Sequence, residues 1–138
     1  ASLVGSEMCI RDRDKNSLRA AFRETYEEIG IPESRINVIG QLDDYITGTG
    51  FHIETYVGII KKNTIFRVNK EEVSELIFLP IEVLQNKTNI IWTSKKFGNK
   101  SYNFWKIKFL NYNVWGATAS ILANLSVKVW DTKLQRAI

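Results

Sequence analysis

The sequence predicts one α/β domain, and two kinds of pattern support that prediction. Segments 18–29 and 117–129 carry apolar residues at helical spacing, whereas 36–42, 51–60 and 105–109 have the apolar or alternating composition of strands. With 138 residues, of which 44% are hydrophobic, the chain is long enough to bury one core. A second domain is not expected.

The first helix is predicted to end at Ile29. Gly30 follows it and tolerates the left-handed conformation at a helix C-terminus, and Pro32 cannot continue the helical hydrogen bonds. Five residues recur at positions i, i+3, i+4, i+7 and i+11, so that they form one stripe that can face a core. These residues are Leu18, Ala21, Phe22, Thr25 and Ile29.

Three carboxylates occupy the last two turns of this helix. Helical geometry places Glu24, Glu27 and Glu28 within about 100° of arc, away from the apolar stripe. Their negative charges lie near the negative end of the helix dipole, which is unfavourable, and the repulsion between Glu24 and Glu28 costs roughly 0.2–0.5 kcal/mol. A bound Mg²⁺ or Mn²⁺ would offset this repulsion. The alternative is an acidic helix end that is simply solvated, which is the commoner case for a charge pattern alone.

Two strands are predicted after the first helix, at 36–42 and 51–60, with a turn between them over 43–50. The turn contains two glycines and two threonines, which suit a phosphate-binding loop but suit an ordinary connection equally well, and the ordinary connection is favoured. His52 is the sole histidine. It alternates with apolar neighbours and is expected on the less buried face of its strand.

The segment 69–75 offers two further acidic side chains, Glu72 and Glu75, as a metal ligand or general base. A charged surface loop is the structural alternative for each of them. A short apolar strand is predicted over 76–80, where proline closes it, and a short helix is predicted over 81–84.

The rest of the chain is predicted to form a loop or loose hairpin over 85–100, a half-buried strand over 105–109, and a final helix. The final helix is expected to pack on the sheet through residues at helical spacing. These residues are Ala117, Ile121, Leu122, Leu125 and Val129.

Composition bounds the class of protein and its ligands. No apolar run approaches the ~20 residues of a membrane span, and Cys9 has no partner for an internal disulfide, so a cytoplasmic protein without a membrane partner is expected. No RNA-recognition signature is present, and no nucleic-acid partner is expected. Residues 95–138 hold eight Lys or Arg and a single acid, Asp131. That balance suits a polyanionic ligand, although solvated surface lysines explain it equally well.

Residues 1–13 show no helical or strand period, and Met8–Arg13 corresponds to one reading frame of a transposon-end adapter that is used to tag DNA libraries. We therefore expect residues 1–13 to be a non-native leader and residues 14–138 to form the domain. On this expectation Cys9 is not a candidate nucleophile.

The segment Arg23–Ile31 resembles the second half of the Nudix box, R-E-U-x-E-E-x-G-U, where U is aliphatic; Thr25 occupies one U position. Residues 14–24, 43–53 and 114–119, together with the short strand at 76–80, are similar to the coenzyme A diphosphatase-like branch of that family. Asp14 matches the upstream acidic residue of the box. The Gly-Gly turn that opens the box is absent, and the additional coenzyme A signature of the branch lies upstream of it.

The resemblance implies an α/β/α sandwich around a mixed sheet, with one or more N-terminal strands missing. It implies that Glu24, Glu27 and Glu28 bind Mg²⁺ or Mn²⁺, that Arg23 holds the glutamates in place, and that Glu24 is a base or ligand. Glu72 is the alternative base. The implied reaction is metal-dependent hydrolysis of a small-molecule nucleotide diphosphate.

Coenzyme A is the leading substrate under this resemblance, with 4′-phosphopantetheine and adenosine 3′,5′-bisphosphate as products. Two alternatives stay open. One is hydrolysis of another nucleotide diphosphate or of an oxidised nucleoside triphosphate. The other is a nucleotide-binding module without turnover, which the absent glycine turn favours for this truncated chain. The sequence predicts no oligomeric state.

Overall fold

The computed structural model describes residues 2–5 and 16–135, and it confirms the α/β class. Within these residues no helix is long and apolar enough to cross a membrane. The chain divides into two compact units, Ala1–Phe78 and Leu79–Ile138. The elements of the first unit are β1 Ser2–Gly5, α1 Ser17–Ile29, β2 Ile36–Gln41, β3 Tyr45–Ile46, β4 His52–Ile53 and β5 Thr55–Ile60. Those of the second are α2 Ile81–Gln85, β6 Ile90–Phe97, β7 Lys100–Phe109, β8 Tyr112–Trp115 and α3 Gly116–Trp130.

The main sheet of the first unit has the order β1-β5-β2, and both pairings are antiparallel. Ser2 pairs with Gly58 and Gly5 with Thr55, so part of the segment 1–13 forms a strand that the sequence pattern did not predict. Backbone N–H and C=O groups along an open strand can pair with any extended chain, whatever its side chains. This strand therefore does not bear on the origin of the segment.

α1 packs its apolar stripe against this sheet, as the sequence predicts. Ala21 and Phe22 are buried together with Ile31 and Ile36, and Leu18 and Ile29 are partly buried against them. Thr25 is also buried. The opposite face of α1 is thereby left for its carboxylates.

The predicted single strand over 51–60 is in fact two strands in different sheets. β4 pairs with β3 in a small hairpin, whereas β5 lies in the main sheet. The turn of the hairpin is closed internally, because Thr47 accepts from the Phe51 N–H through its hydroxyl and from the Gly50 N–H through its carbonyl. Two N–H groups are thus used within the turn, as in an ordinary connection, which stays the favoured interpretation. The two strands of the hairpin were missed because two-residue strands leave almost no periodic signal.

The prediction of a strand over 76–80 is wrong, since none of these residues belongs to a strand. Ile77 is 40% and Phe78 67% exposed, and the Phe78 ring meets that of Phe66 edge to face at 5.3 Å. An apolar run becomes a strand only where a neighbouring strand offers unpaired backbone groups, and the run over 76–80 pairs with no strand in the described part of the chain.

The second unit is a three-stranded antiparallel sheet, in the order β6-β7-β8, with α3 packed on one face. The loose hairpin predicted over 85–100 is the start of a long regular hairpin, in which Ile90 pairs with Ile107 and Phe97 with Lys100. On the face toward the core, the rings of Trp92 and Trp105 meet at 5.0 Å.

α3 lies where the sequence predicts it, but its buried face differs from the predicted stripe. Val129 is 54% exposed, whereas Ser126 is fully buried. The Ser126 hydroxyl donates to the Leu84 carbonyl at 2.5 Å, which allows a polar side chain to occupy a core position. The buried residues of this helix are Ala119, Ala123, Leu125 and Ser126.

Candidate functional site

The ends of α1 are set by two local interactions. At the start, the Asn16 side chain accepts a hydrogen bond from the Arg19 N–H at 3.0 Å. At the end, Gly30 adopts φ +72° and its N–H donates to the Tyr26 carbonyl at 2.9 Å. The helix therefore stops directly after its three carboxylates, which stand in its last two turns.

Arg23 lies among these carboxylates. Its Nη1 is 3.0 Å from Oε2 of Glu27, and its Nη2 is 3.8 Å from Oε1 of Glu24. The Arg23 side chain is only 13% exposed and that of Glu24 is 17% exposed. Partial burial weakens screening by water, so the guanidinium restricts where both carboxylates can point.

A loop returns to the C-terminal end of α1 and brings Glu72 to the site. The Arg67 N–H donates to the Ile29 carbonyl and the Asn69 N–H to the Glu28 carbonyl, each at 2.8 Å. The Asn69 carbonyl in turn accepts from the Glu72 N–H at 3.1 Å. These bonds satisfy helix carbonyls that have no partner within the helix, and they anchor the backbone of Glu72 beside the last turn of α1.

The electrostatics of Glu28 indicate that the acidic groups influence one another. Partial burial raises the pKa of the Glu28 carboxyl, and the negative charges of Glu24, Glu72 and Glu27 raise this pKa further. Glu72 acts on Glu28 from outside the helix, so four carboxylates share one region of the first unit. Such a region favours a cation.

Comparison with known proteins finds relatives named Nudix hydrolase. The chain is 35% identical over 121 residues to "Uncharacterized Nudix hydrolase NudL" of Salmonella paratyphi B, covering 87% of this chain and 62% of that protein. It is 29% identical over 117 residues to the protein of the same name from Yersinia enterocolitica, covering 85% of this chain and 60% of that protein. Over most of its own length the chain is therefore similar to proteins named Nudix hydrolase. No profile of a protein family matches it. The chain spans about three fifths of the length of these Nudix relatives.

The segment of α1 that resembles the Nudix box departs from the box pattern at Thr25, and the structure shows why this residue is tolerated. Thr25 is buried, and its hydroxyl donates to the Ala21 carbonyl at 2.7 Å. The polar atom is satisfied inside the helix, so the methyl group can pack where the Nudix pattern has an aliphatic side chain.

The structure thus brings Arg23, Glu24, Glu27, Glu28 and Glu72 to one part of the first unit. Asp14, which matches the upstream acidic residue of the Nudix box, lies outside the described residues, as does Cys9. Glu75 has interactions of its own within the structure. The roles of these residues in metal binding and catalysis stay predictions.

A second group of ligand-type side chains lies on the β3–β4 hairpin. Asp44, His52 and Glu54 each place one ligand atom within 4.8 Å of the other two, and within the described part of the chain no other such group meets this distance. The sequence reasoning missed Asp44 because it did not predict the hairpin pairing, in which Ile46 lies opposite His52 and Tyr45 opposite Ile53, and which brings Asp44 close to His52. Nε2 of His52 lies 2.7 Å from Oδ2 of Asp44, and that contact accounts for their proximity without an ion.

The raised pKa of Glu28 predicts a pH-dependent effect of Glu28→Gln on metal-free protein. A carboxyl group whose pKa is higher in the folded state than in the unfolded state destabilises the fold when it ionises. The loss of stability is therefore absent below the unfolded-state pKa and grows as the pH rises through the folded-state pKa. At about pH 7 we expect the variant to be more stable by about 0.2–0.5 kcal/mol, the size of one like-charge helical pair.

Urea unfolding in the presence of a chelator measures this difference. The difference in stability between Glu28→Gln and the parent should shrink toward zero as the pH falls below about 4, because Glu28 then becomes protonated in both the folded and the unfolded state. Glu71→Gln, which changes an exposed residue of the nearby loop, is the matched control and should show little difference at either pH. A gap that is the same at both pH values would contradict the explanation.

Proposed function

We propose that this chain is a metal-dependent diphosphatase that acts on a nucleoside-diphosphate derivative, with residues 14–138 forming its Nudix domain. The observation that carries the proposal is the set of carboxylates on α1, to which the loop after β5 adds Glu72 beside Glu28. Similarity to proteins named Nudix hydrolase supports the hydrolase class.

The chemistry of the residues present suits a hard divalent cation, although no three of their carboxylates place oxygens within 4.8 Å of one another in the described structure, so that binding would draw these side chains together. Glu24, Glu27 and Glu28 offer oxygen donors only, which is the donor set that Mg²⁺ and Mn²⁺ prefer. The mutual repulsion that raises the Glu28 pKa would be relieved by a positive ion. Because both ions share carboxylate ligands, the donor set supports either one.

Arg23 is proposed to position the glutamates rather than to contact substrate. Its contacts with Glu24 and Glu27 support this role, since a charge-assisted hydrogen bond of 3.0 Å to Glu27 restricts where that carboxylate can point. A cation would share Glu27 with Arg23.

The resemblance puts Glu24 first as base or ligand and Glu72 as the alternative base; with Glu24 counted among the metal ligands, we propose Glu72 as the general base and keep Glu24 as the alternative. In the reaction, a water oxygen forms a bond to one phosphorus of the diphosphate, the bridging oxygen leaves on the other phosphate, and the water proton passes to the carboxylate. Glu72 is suited to accept it because its backbone is anchored beside the helix while its side chain is exposed. The bound metal would supply a lowered water pKa and neutralise charge on the phosphate oxygens.

Coenzyme A is our leading substrate, cleaved to 4′-phosphopantetheine and adenosine 3′,5′-bisphosphate. Its support is the similarity of residues 43–53 and 114–119 to the coenzyme A diphosphatase-like branch. A cytoplasmic location fits the single cysteine, which can form no internal disulfide.

The test is release of adenosine 3′,5′-bisphosphate from coenzyme A with Mg²⁺ and with Mn²⁺, beside a panel of other nucleotide diphosphates and oxidised nucleoside triphosphates. We expect Glu72→Gln to lower kcat by about 100-fold or more, which is the usual contribution of a general base to the rate. Glu71→Gln removes a neighbouring charge from the same loop and should leave kcat within about twofold, since it lies outside the proposed site.

The outcomes of these measurements distinguish the candidate substrates, the candidate bases and the binding module. Equal rates across the panel would remove the preference for coenzyme A, and equal losses in Glu71→Gln and Glu72→Gln would remove Glu72 as the base. Saturable binding of coenzyme A without product would favour the binding module.

A further inference from the structure

The second unit contains a cavity on the outer face of its sheet, opposite the face that α3 covers. Its volume is about 360 Å³, which lies at the lower end of the range for small-molecule sites. It is lined by aromatic, cationic and neutral polar side chains, among them Phe104, Trp115, Lys95, Lys106 and Asn113.

Strand register explains why these side chains share one face. Phe104 and Lys106 are two residues apart on β7, so both side chains leave the same side of the sheet. Lys106 pairs directly with Trp115 on β8, and Phe104 pairs with Thr93 on β6. Cross-strand partners lie side by side on one face, so the register alone places a cation next to the Trp115 ring.

The aromatic part of the cavity is open to a flat ligand. The rings of Phe104 and Trp115 lie 6.1 Å apart at an angle of 57°, and Trp115 is 63% exposed. A tilted ring pair of this kind leaves the outer face of the indole uncovered within this unit. A nucleobase can stack on such a face, because every base has a π surface of matching shape.

The charge of the sheet selects for an anionic ligand. Residues 90–115 contain five lysines and neither aspartate nor glutamate. Lys95 and Lys106 both line the cavity, and Nζ of Lys95 lies 5.2 Å from the centroid of the Phe97 ring. A phosphate there would meet two cations and no like charge from the sheet itself.

We propose that this face binds the base and phosphate of an adenine nucleotide, with Trp115 stacking on the base and Lys106, assisted by Lys95, pairing with the phosphate. The proposal deepens the proposed function and rests on it for the choice of adenine as the base. Asn113 and Thr93, at the rim of the same cavity, offer amide and hydroxyl groups for the ribose or the base edge.

Equilibrium binding of three probes to the full chain, with EDTA present, tests the proposal. The probes are AMP, adenosine and ribose 5-phosphate, which carry both recognised groups, the base alone and the phosphate alone. AMP contains no diphosphate linkage and cannot be turned over by the proposed reaction. We expect AMP to bind at least about 10-fold more tightly than either fragment.

Two pairs of variants assign the contacts. Lys106→Gln should weaken AMP about 5–10-fold and leave adenosine unchanged, whereas Lys108→Gln, which removes the next lysine on the same face of β7 but outside the cavity lining, should change neither. Trp115→Ala should weaken AMP and adenosine together by about 10-fold, and Trp115→Phe, which keeps an aromatic ring, should restore most of that binding.

Several results would overturn the proposal: no measurable AMP binding, equal losses in Lys106→Gln and Lys108→Gln, or unchanged binding in a Trp115→Ala variant whose circular dichroism matches the parent. Its failure is distinguishable from failure of the proposed function. Coenzyme A hydrolysis without AMP binding would reject this face alone, and AMP binding without hydrolysis of any diphosphate would reject the activity alone.

Discussion

Gly30→Ala is expected to lower the free energy of unfolding by about 3 kcal/mol, because two costs add at this position. The residue has φ +72°, where an L side chain is strained. A Cβ built on it would lie 2.7 Å from Cβ of Arg67 and 3.0 Å from the Arg67 carbonyl oxygen. Neither atom is the free end of a flexible side chain, so the loop itself would have to move away from α1.

Urea unfolding of three glycine variants separates these two costs. Gly98→Ala has positive φ but nothing within 4 Å of the added methyl, and we expect a loss of about 1–2 kcal/mol. Gly40→Ala meets neither problem and should be neutral or slightly stabilising. A loss at Gly30 no larger than that at Gly98 would show that the close approach of Arg67 contributes nothing.

Gly30→Ala should also change the geometry of the candidate site. The Arg67 and Asn69 N–H groups hold their loop on the last carbonyls of α1, and Glu72 follows directly in that loop. Displacing Arg67 therefore displaces Glu72 relative to Glu28. At a temperature where the Gly30→Ala protein is still folded, we expect the pKa of Glu28 to move back toward its usual value, which carboxyl NMR can measure.

Glu28→Gln is expected to lower metal-dependent turnover by about 100-fold or more, because a lost ligand costs at least as much as the lost outer-sphere partner of a ligand. Gln keeps the size of the side chain and removes its charge, so the fold should be retained. Affinity for Mn²⁺, measured by water-proton relaxation, should fall in parallel. This second measurement needs no substrate and is informative even if the chain has no turnover.

The control for this variant is Glu71→Gln, which should keep both Mn²⁺ affinity and turnover within about twofold because its exposed charge lies outside the ligand set. Unchanged Mn²⁺ affinity in Glu28→Gln would remove Glu28 from the ligand set. Parallel loss in both variants would show that only the general negative potential matters.

Local features of the site were predictable from the sequence because they depend on neighbours within one helix. The stripe from Leu18 to Ile29 repeats over three turns, and Gly30 with Pro32 gives a stop that no distant contact needs to impose. The three carboxylates follow from the same spacing. Arg23 lies four residues before Glu27, and their contact is likewise a local one.

The errors in the predicted elements arise where the outcome depends on a distant partner. Residues 76–80 are apolar enough for a strand but do not pair as one. In contrast, Tyr45–Ile46 and His52–Ile53 are too short to predict and yet pair with each other. In α3 the buried face shifts to include Ser126, because the Leu84 carbonyl accepts its hydroxyl.

The sequence by itself determined the α/β class, the extent of α1, the placement of Glu24, Glu27 and Glu28 on one face, and the resemblance to the Nudix superfamily. Only the tertiary structure decided that Glu72 rather than Glu75 acts on Glu28, that Arg67 fills the space a side chain at position 30 would need, and that Lys106 stands beside Trp115. Helical spacing is a property of consecutive residues. Contacts between residues tens of positions apart depend on how loops close and strands register, which no short pattern encodes.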